Sequence, residues 1–442
     1  MKRIKTTLLA AAVLATATMG FTPVASAQTE QFIPLLSYRT GPYAPNGIPW
    51  ANGKQDYIKL VNERDGGING VKMSFEECEF GYATDRGVEC YERLKSRPGV
   101  ALFDPQSTGV TFALTEKANT DKIPLITLGY GLSIAADGMA FKWNFPYLGS
   151  YWTGADALVQ HLGKELGGLD KLKGKKIALV YHDSPFGKEP IPVMQERAKM
   201  HGFELQLLPV TAPGVEQKST WLQVRQSRPD YVFLWGWGVM NSTALKEAQA
   251  TGYARNKIYG VWWAGAEPDV RDIGDGAKGY KALALNGYGQ DTKVAQDILT
   301  YVHGKGQGTG DKNEVGSVLY TRGVIIQMLT VEAIRTAQEK FGKGKVMTPE
   351  QVQWGMENLN LTAERLKELG FDGIIRPLQT TCANHMGSTS VRVHEWDGKQ
   401  WGNLSDWYEA DPAVLDKMIK DGADKYLAEK NLKRREQADC GA

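Results

Sequence analysis

The sequence is poor in the residues that carry most catalytic chemistry. It has only four cysteines and six histidines in 442 residues. No C-x-x-C pair and no clustered Cys/His spacing appears, which excludes the common zinc sites, and no metal or cofactor is expected. There is no G-x-S-x-G elbow, no H-E-x-x-H and no phosphate-binding loop. Gly129-Tyr130-Gly131 lacks the third glycine of a dinucleotide fingerprint. His182-Asp183-Ser184 contains triad residue types, but neighbours in a chain rarely converge as a triad must. Long apolar runs are also missing. The longest, Leu8 to Ala15, is short of the ~20 residues a membrane span needs.

That run has a different meaning. Lys2, Arg3 and Lys5 precede it, and Ala25-Ser26-Ala27 follows it. Together they predict a secretory signal peptide over residues 1–27, cut after Ala27, with no stable membrane insertion afterwards. The predicted compartment is the periplasm. No excess of either charge is present: 52 Lys+Arg face 50 Asp+Glu. Loss of residues 1–27 takes three positive charges and no negative ones, leaving 49 against 50. A near-neutral chain has no basic stripe for nucleic acid. In an exported protein an even, small number of cysteines reads as disulfides. Cys78 ends a strand-like run and Cys90 lies in the helix-like run that follows, so these two are expected to pair. Cys382 and Cys440 are then the second pair, pinning the C-terminal tail.

What the chain has in abundance is alternation. Strand-like runs at 31–38, 71–78, 100–103 and 124–128 alternate with helical spacing at 50–64, 84–97 and 109–119. After Trp143 the pattern restarts. Strands are predicted at 176–181, 203–209, 230–235 and 257–262, with helices at 149–166, 188–201, 218–227 and 241–252. Residues 315–339 and 412–435 read as further helices, and Gly304 to Gly310 as a flexible surface loop. The fold class is α/β, two doubly wound parallel-sheet units in series plus a C-terminal helical tail.

In open parallel sheets, ligands bind beyond the carboxyl ends of the strands. Those ends share a chemistry. In the first unit they are Thr40 to Gly47, including Asn46, then Asp104 to Gly109, including Ser107 and Thr108, then Gly129-Tyr130-Gly131. Glycine, hydroxyls and helix N-termini suit an anion such as a carboxylate. In the second unit they are His182 to Gly187 with Phe186, Gly236-Trp237-Gly238, and Trp263 to Glu267. Aromatic faces suit an apolar or cationic group. Trp235 and Trp262 are assigned to the core, and strand alternation allows at most one of Trp262 and Trp263 to face a cleft.

Thr40-Gly41-Pro42, Asp65-Gly66-Gly67-Ile68-Asn69-Gly70, the Ser107-Thr108-Gly109 loop, Lys122 to Ile126, His182 to Gly187 and Phe371-Asp372-Gly373 resemble the type I periplasmic binding proteins of the branched-chain amino acid family. The likeness runs from about residue 31 to 400, and the tail beyond lies outside it. The resemblance implies two lobes joined by a three-crossing hinge: 28–146 with 285–374, and 147–284 with 375–404, followed by a helical extension over 405–442. It implies a carboxylate held by Ser107, Thr108 and backbone at Gly129 and Gly131, with Phe186 and Trp237 as aromatic walls. The family's ammonium-binding acid has no direct counterpart, since Trp263 stands there; Glu267 is the substitute if its loop bends. The implied function is the solute-binding component of an ABC importer, carrying a hydrophobic amino acid or an aromatic acid to a permease and its ATPase subunits. A ligand-sensing receptor built on the same clamshell, or a hydrolase, are the alternatives.

Overall fold

A computed structural model describes residues 29–441. The predicted signal segment, 1–27, lies outside them. Two sheets organise the rest. In the first, strand Glu30–Ser37 pairs in parallel with Lys72–Glu79 on one side. On its other side runs the extended segment 100–104, joined by single bridges at Phe32–Val100 and Leu35–Asp104. A Phe103–Leu125 bridge carries the sheet on to strand Leu125–Leu128, which pairs with Asn144–Tyr147. All these pairings are parallel. Alternation in the first strand sends Phe32 and Leu36 into one core and Ile33 and Leu35 into the other, so both faces are covered.

Helix Ala44–Arg64 and helix Val318–Phe341 cross on one face of this sheet. Their approach requires glycine on both. A Cβ on Gly53 would stand 2.0 Å from the Tyr320 carbonyl oxygen, and one on Gly323 2.1 Å from that of Trp50. The other face takes helices Thr84–Leu94 and Thr108–Asp121.

The second sheet has seven strands in the order Trp401–Asn403, Arg392–Trp396, Lys281–Ala284, Ile258–Gly260, Tyr231–Trp235, Lys176–His182, Glu204–Val210. The five from Lys281–Ala284 onward are parallel. Residues 392–403 add an antiparallel hairpin, so the sheet is mixed. Asp397 sets that hairpin by accepting from the Lys399 and Gln400 backbone N–H groups. The chain passes between the sheets three times: after Tyr147, after Ala284 and before Arg392.

Several elements differ from expectation for local reasons. The first helix begins at Ala44, not Trp50, because Pro45 seeds its first turn. Strand 257–262 shortens to Ile258–Gly260, and Trp262–Ala264 turns as a 3-10 helix. The 304–310 loop is tied down: Lys59 donates to the Gln307 carbonyl at 2.8 Å, and Thr309 N–H donates to Asp56 at 2.9 Å. The last helix ends at Glu429 rather than 435.

Both disulfides form, Cys78–Cys90 and Cys382–Cys440. The second anchors a tail that spans both sheets' surroundings. Asp411 at its start accepts from Arg197 at 3.1 Å, beside the second sheet. Arg434 near its end bonds Asp137 at 2.7 and 2.9 Å, beside the first. No helix among the described residues is long and apolar enough to cross a membrane.

Candidate ligand-binding site

The strand ends of the two sheets meet around one aromatic cavity. From the first sheet's side come Tyr38, Trp50, Tyr82, Gln106, Ser107, Thr108 and Tyr130. From the second come Tyr151, Phe186, Trp237 and Trp263. About 230 Å³ of space lies among these atoms. All the lining side chains but Tyr82 are buried, so the space is a slot largely shut off from solvent.

Helix Thr108–Asp121 opens on this slot. Ser107 is its N-cap in extended conformation, but its side chain makes no capping bond. The first-turn N–H groups and the positive end of the helix are thus left for an acceptor. Gln106 holds the turn with a left-handed φ of 56° and donates its N–H to the Tyr130 hydroxyl at 2.8 Å. Tyr130 in turn donates to Asp104, whose other oxygen meets buried Lys54 at 2.7 Å. Thr108 Oγ1 lies 3.3 Å from the Tyr151 hydroxyl and accepts from Gly131 N–H at 3.3 Å.

The aromatic wall is interlocked. Trp50 stacks on Trp263 at 4.8 Å, and Trp237 meets Trp263 edge-on at 5.3 Å. The Arg322 guanidinium lies over Trp263, 4.9 Å from the ring centre. Burial, with Tyr82 and Asp104 nearby, raises the Tyr38 phenol well above its ordinary range, and burial does the same for Tyr130 and Tyr151. These hydroxyls stay protonated and can donate. Tyr38 Oη and Trp50 Nε1 are buried without hydrogen-bond partners.

The other predicted site residues sit elsewhere. Gly129 offers the ligand little backbone: its N–H donates to Tyr147 O at 3.3 Å, and its carbonyl accepts from Trp262 Nε1 at 2.8 Å and Trp263 Nε1 at 3.1 Å. Only Trp263 lines the slot; Trp262 is fully buried in the core, although the 3-10 turn lets both indoles reach the Gly129 carbonyl. Asn46 lies in a helix and donates to Asp269 at 3.2 Å, outside the slot. Glu267 is also outside it. Its carboxylate accepts from Val318 N–H at 3.2 Å, at the start of helix Val318–Phe341. Burial raises its pKa.

Tyr38, Trp50, Tyr82, Gln106, Tyr130 and Tyr151 were not singled out from sequence. Gln106 and Tyr130 lay inside loops already chosen, and Tyr38 ended the first strand run; being at strand ends was their signal. Trp50 and Tyr151 sit in helices and carried none.

Around the slot, contacts join the two sides. The Tyr43 hydroxyl lies 2.8 Å from His182 Nε2, and Ser133 N–H donates to Glu189 at 3.1 Å. Burial pushes His182 down to about 4 and Glu189 up to about 7. Arg322 donates to the Trp262 carbonyl at 2.5 Å and to Asn286 at 3.0 Å; burial lowers it to about 9. Among the described residues, no three Cys, His, Asp or Glu side chains gather as a metal site.

A family model described as periplasmic binding protein matches residues 30–400. Comparison with curated proteins gives no match. Among solved structures, one from the Pseudomonas fluorescens group, described as an ABC transporter permease, is 41% identical; the match covers 92% of this chain and 99% of that one, with a TM-score of 0.86. A branched-chain amino acid ABC transporter protein from Thermus thermophilus with bound valine matches at 23% identity over 88% and 100% of the chains, TM-score 0.73. A solute binding protein from R. palustris in complex with benzoate matches at 18% over 87% and 99%, TM-score 0.65. The chain therefore belongs to the periplasmic binding protein family, and is an extracytoplasmic solute-binding protein rather than an enzyme.

Proposed function

We propose that the chain is the periplasmic solute-binding component of an ABC importer, exported by a signal cut after Ala27, and that it delivers a small carboxylate ligand to a permease with its ATPase subunits. Its lobes are 28–146 with 285–374 and 147–284 with 375–404, and residues 405–442 are an added tail. The ligand lies in the slot between lobes, a hydrophobic amino acid or an aromatic acid. One observation carries this reading: the uncapped N-terminus of helix Thr108–Asp121, with Ser107 and Thr108, opens into an aromatic cavity between the lobes. The valine and benzoate found in related structures are both carboxylates.

In this reading Ser107 and Thr108 hold the carboxylate, and Phe186, Trp237 and Trp263 pack on the ligand body. Gly131 fixes the Thr108 hydroxyl and Gly129 receives the two indoles. Asn46 and Glu267 hold the lobes together without touching the ligand. Changing Ser107 and Thr108 together to alanine is expected to weaken carboxylate binding by about 1–3 kcal/mol, the range for hydrogen bonds to a charged group. Calorimetry checks this. Unchanged affinity would put the anion site elsewhere.

A further inference from the structure

From the composition of the same slot we infer that its ligand is an acid with no free ammonium group and with a second acceptor oxygen, and that Trp263 enforces this choice. The inference rests on the carboxylate reading of Ser107 and Thr108. A buried primary ammonium needs an ionised partner or several acceptors, because losing its hydration is costly. The described wall contains no Asp or Glu. The acids near it are all engaged, and Glu189 is held by the Ser133 N–H and hydroxyl. Asp104 is held by Lys54 and Tyr130. Asp269 accepts from Asn241 at 2.9 Å, from Asn46 and from Ala266 N–H at 2.9 Å. Glu267 is turned onto Val318.

Cation–π attraction does not replace the missing acid at Trp263. Trp50 stacks on the ring at 4.8 Å and the Arg322 guanidinium lies 4.9 Å from its centre, so a ligand cation there would meet a charge of its own sign. One cation stands behind the wall, Arg322 against Trp263; Lys54 is paired with Asp104. Together with the positive end of the helix, Arg322 favours an anion and opposes a second positive charge.

The second acceptor follows from two unused donors. Tyr38 is 0% and Trp50 2% exposed, both line the slot, and neither the phenol nor the indole N–H has a partner. Buried donors are rarely left unmade in a native protein. An indole N–H can only donate, so the ligand must accept.

Calorimetry on the mature full chain with two matched pairs tests this. Phenylalanine and 3-phenylpropanoate differ only in the ammonium group. Benzoate and 4-hydroxybenzoate differ only in the second oxygen. We expect 3-phenylpropanoate to bind at least about tenfold tighter than phenylalanine, and 4-hydroxybenzoate at least about fivefold tighter than benzoate. The second preference should shrink toward unity in Trp50→Phe or Tyr38→Phe, each of which keeps a ring in place. Equal or tighter binding of phenylalanine overturns the inference while leaving the carboxylate reading intact. A hydroxyl preference that is absent, or that survives both substitutions, also overturns it. If 4-hydroxybenzyl alcohol binds as well as 4-hydroxybenzoate, the carboxylate reading fails and the inference with it. Silence of every probe overturns both.

Discussion

Removing the disulfide between Cys382 and Cys440 should cost this protein more than removing the one between Cys78 and Cys90. The long bond closes a loop with a separation of 58 residues, the short one a separation of 12. The chain-entropy relation puts the two contributions at about 4 and about 3 kcal/mol. The long loop also ties two regions together. Asp411 N–H donates to Asp156 at 2.8 Å, beside the second sheet. Helix Pro412–Glu429 then crosses so closely that a Cβ on Gly422 would stand 2.6 Å from Ile134. Tyr426 packs on Phe141 at 4.7 Å, and Arg435 reaches Glu357 at 2.5 Å. Unfolding entropy of ~2.1 cal/mol/K per residue over roughly 400 residues gives about 0.9 kcal/mol per degree. The double change Cys382→Ser/Cys440→Ser should therefore lower Tm by about 5 °C, and Cys78→Ser/Cys90→Ser by about 3 °C, in scanning calorimetry. Small-angle scattering of the ligand-free protein should show a larger radius of gyration for the first variant only, because only that bond helps hold a tail across both sheets. A smaller Tm loss for the long-loop variant, with an unchanged radius, would refute the strap argument.

Stability should fall between about pH 4 and 7, because two raised carboxylates outweigh one lowered histidine. Burial raises Glu189 and Asp269 to about 7, so the stability they contribute is complete below about 4 and is lost as pH rises through about 7. His182, pushed by burial to about 4, works the other way: its contribution is present above about 6.5 and is lost as pH falls through about 4. Thermal melts across this window should show that fall, and Glu189→Gln should make it shallower; a fall as steep as the parent's would discard that assignment. Glu267→Ala removes the acceptor at the start of helix Val318–Phe341 and should cost about 1 kcal/mol of stability while leaving ligand affinity within about twofold. A tenfold loss of affinity would mean that Glu267 reaches the ligand. Gly323→Ala drives a Cβ against the Trp50 carbonyl and should cost about 1–3 kcal/mol and weaken the near-ultraviolet signal of the Trp50–Trp263 stack; an unchanged melt and spectrum would show that the helices part freely.

Much of the architecture could be read from the chain because it is written in local patterns. Strand Lys176–His182 is a run of apolar residues buried on both faces, which is what a central parallel strand requires. Ser107 and Thr108 were legible because a helix must start where a parallel strand ends, and the N-terminus of that helix exposes unpaired N–H groups. The 392–403 hairpin was missed because its strands are short and its antiparallel partner lies more than a hundred residues earlier, at Lys281–Ala284. Trp262 was assigned to the core and lies there, fully buried, but not by strand alternation: the strand stops at Gly260, and the turn at Trp262–Ala264 brings its indole to Gly129.

By itself the sequence determined the period of each element and the two α/β units. Those depend on neighbours within a turn of helix or a few residues of strand. Only the tertiary structure decided which side chains share the slot. Tyr38, Trp50, Tyr130 and Trp263 come from four separate segments, and their distances are set by how two sheets close on each other. It likewise decided that Glu267 faces Val318, because a carboxylate is drawn to whichever unpaired N–H the packing of a distant helix brings within reach.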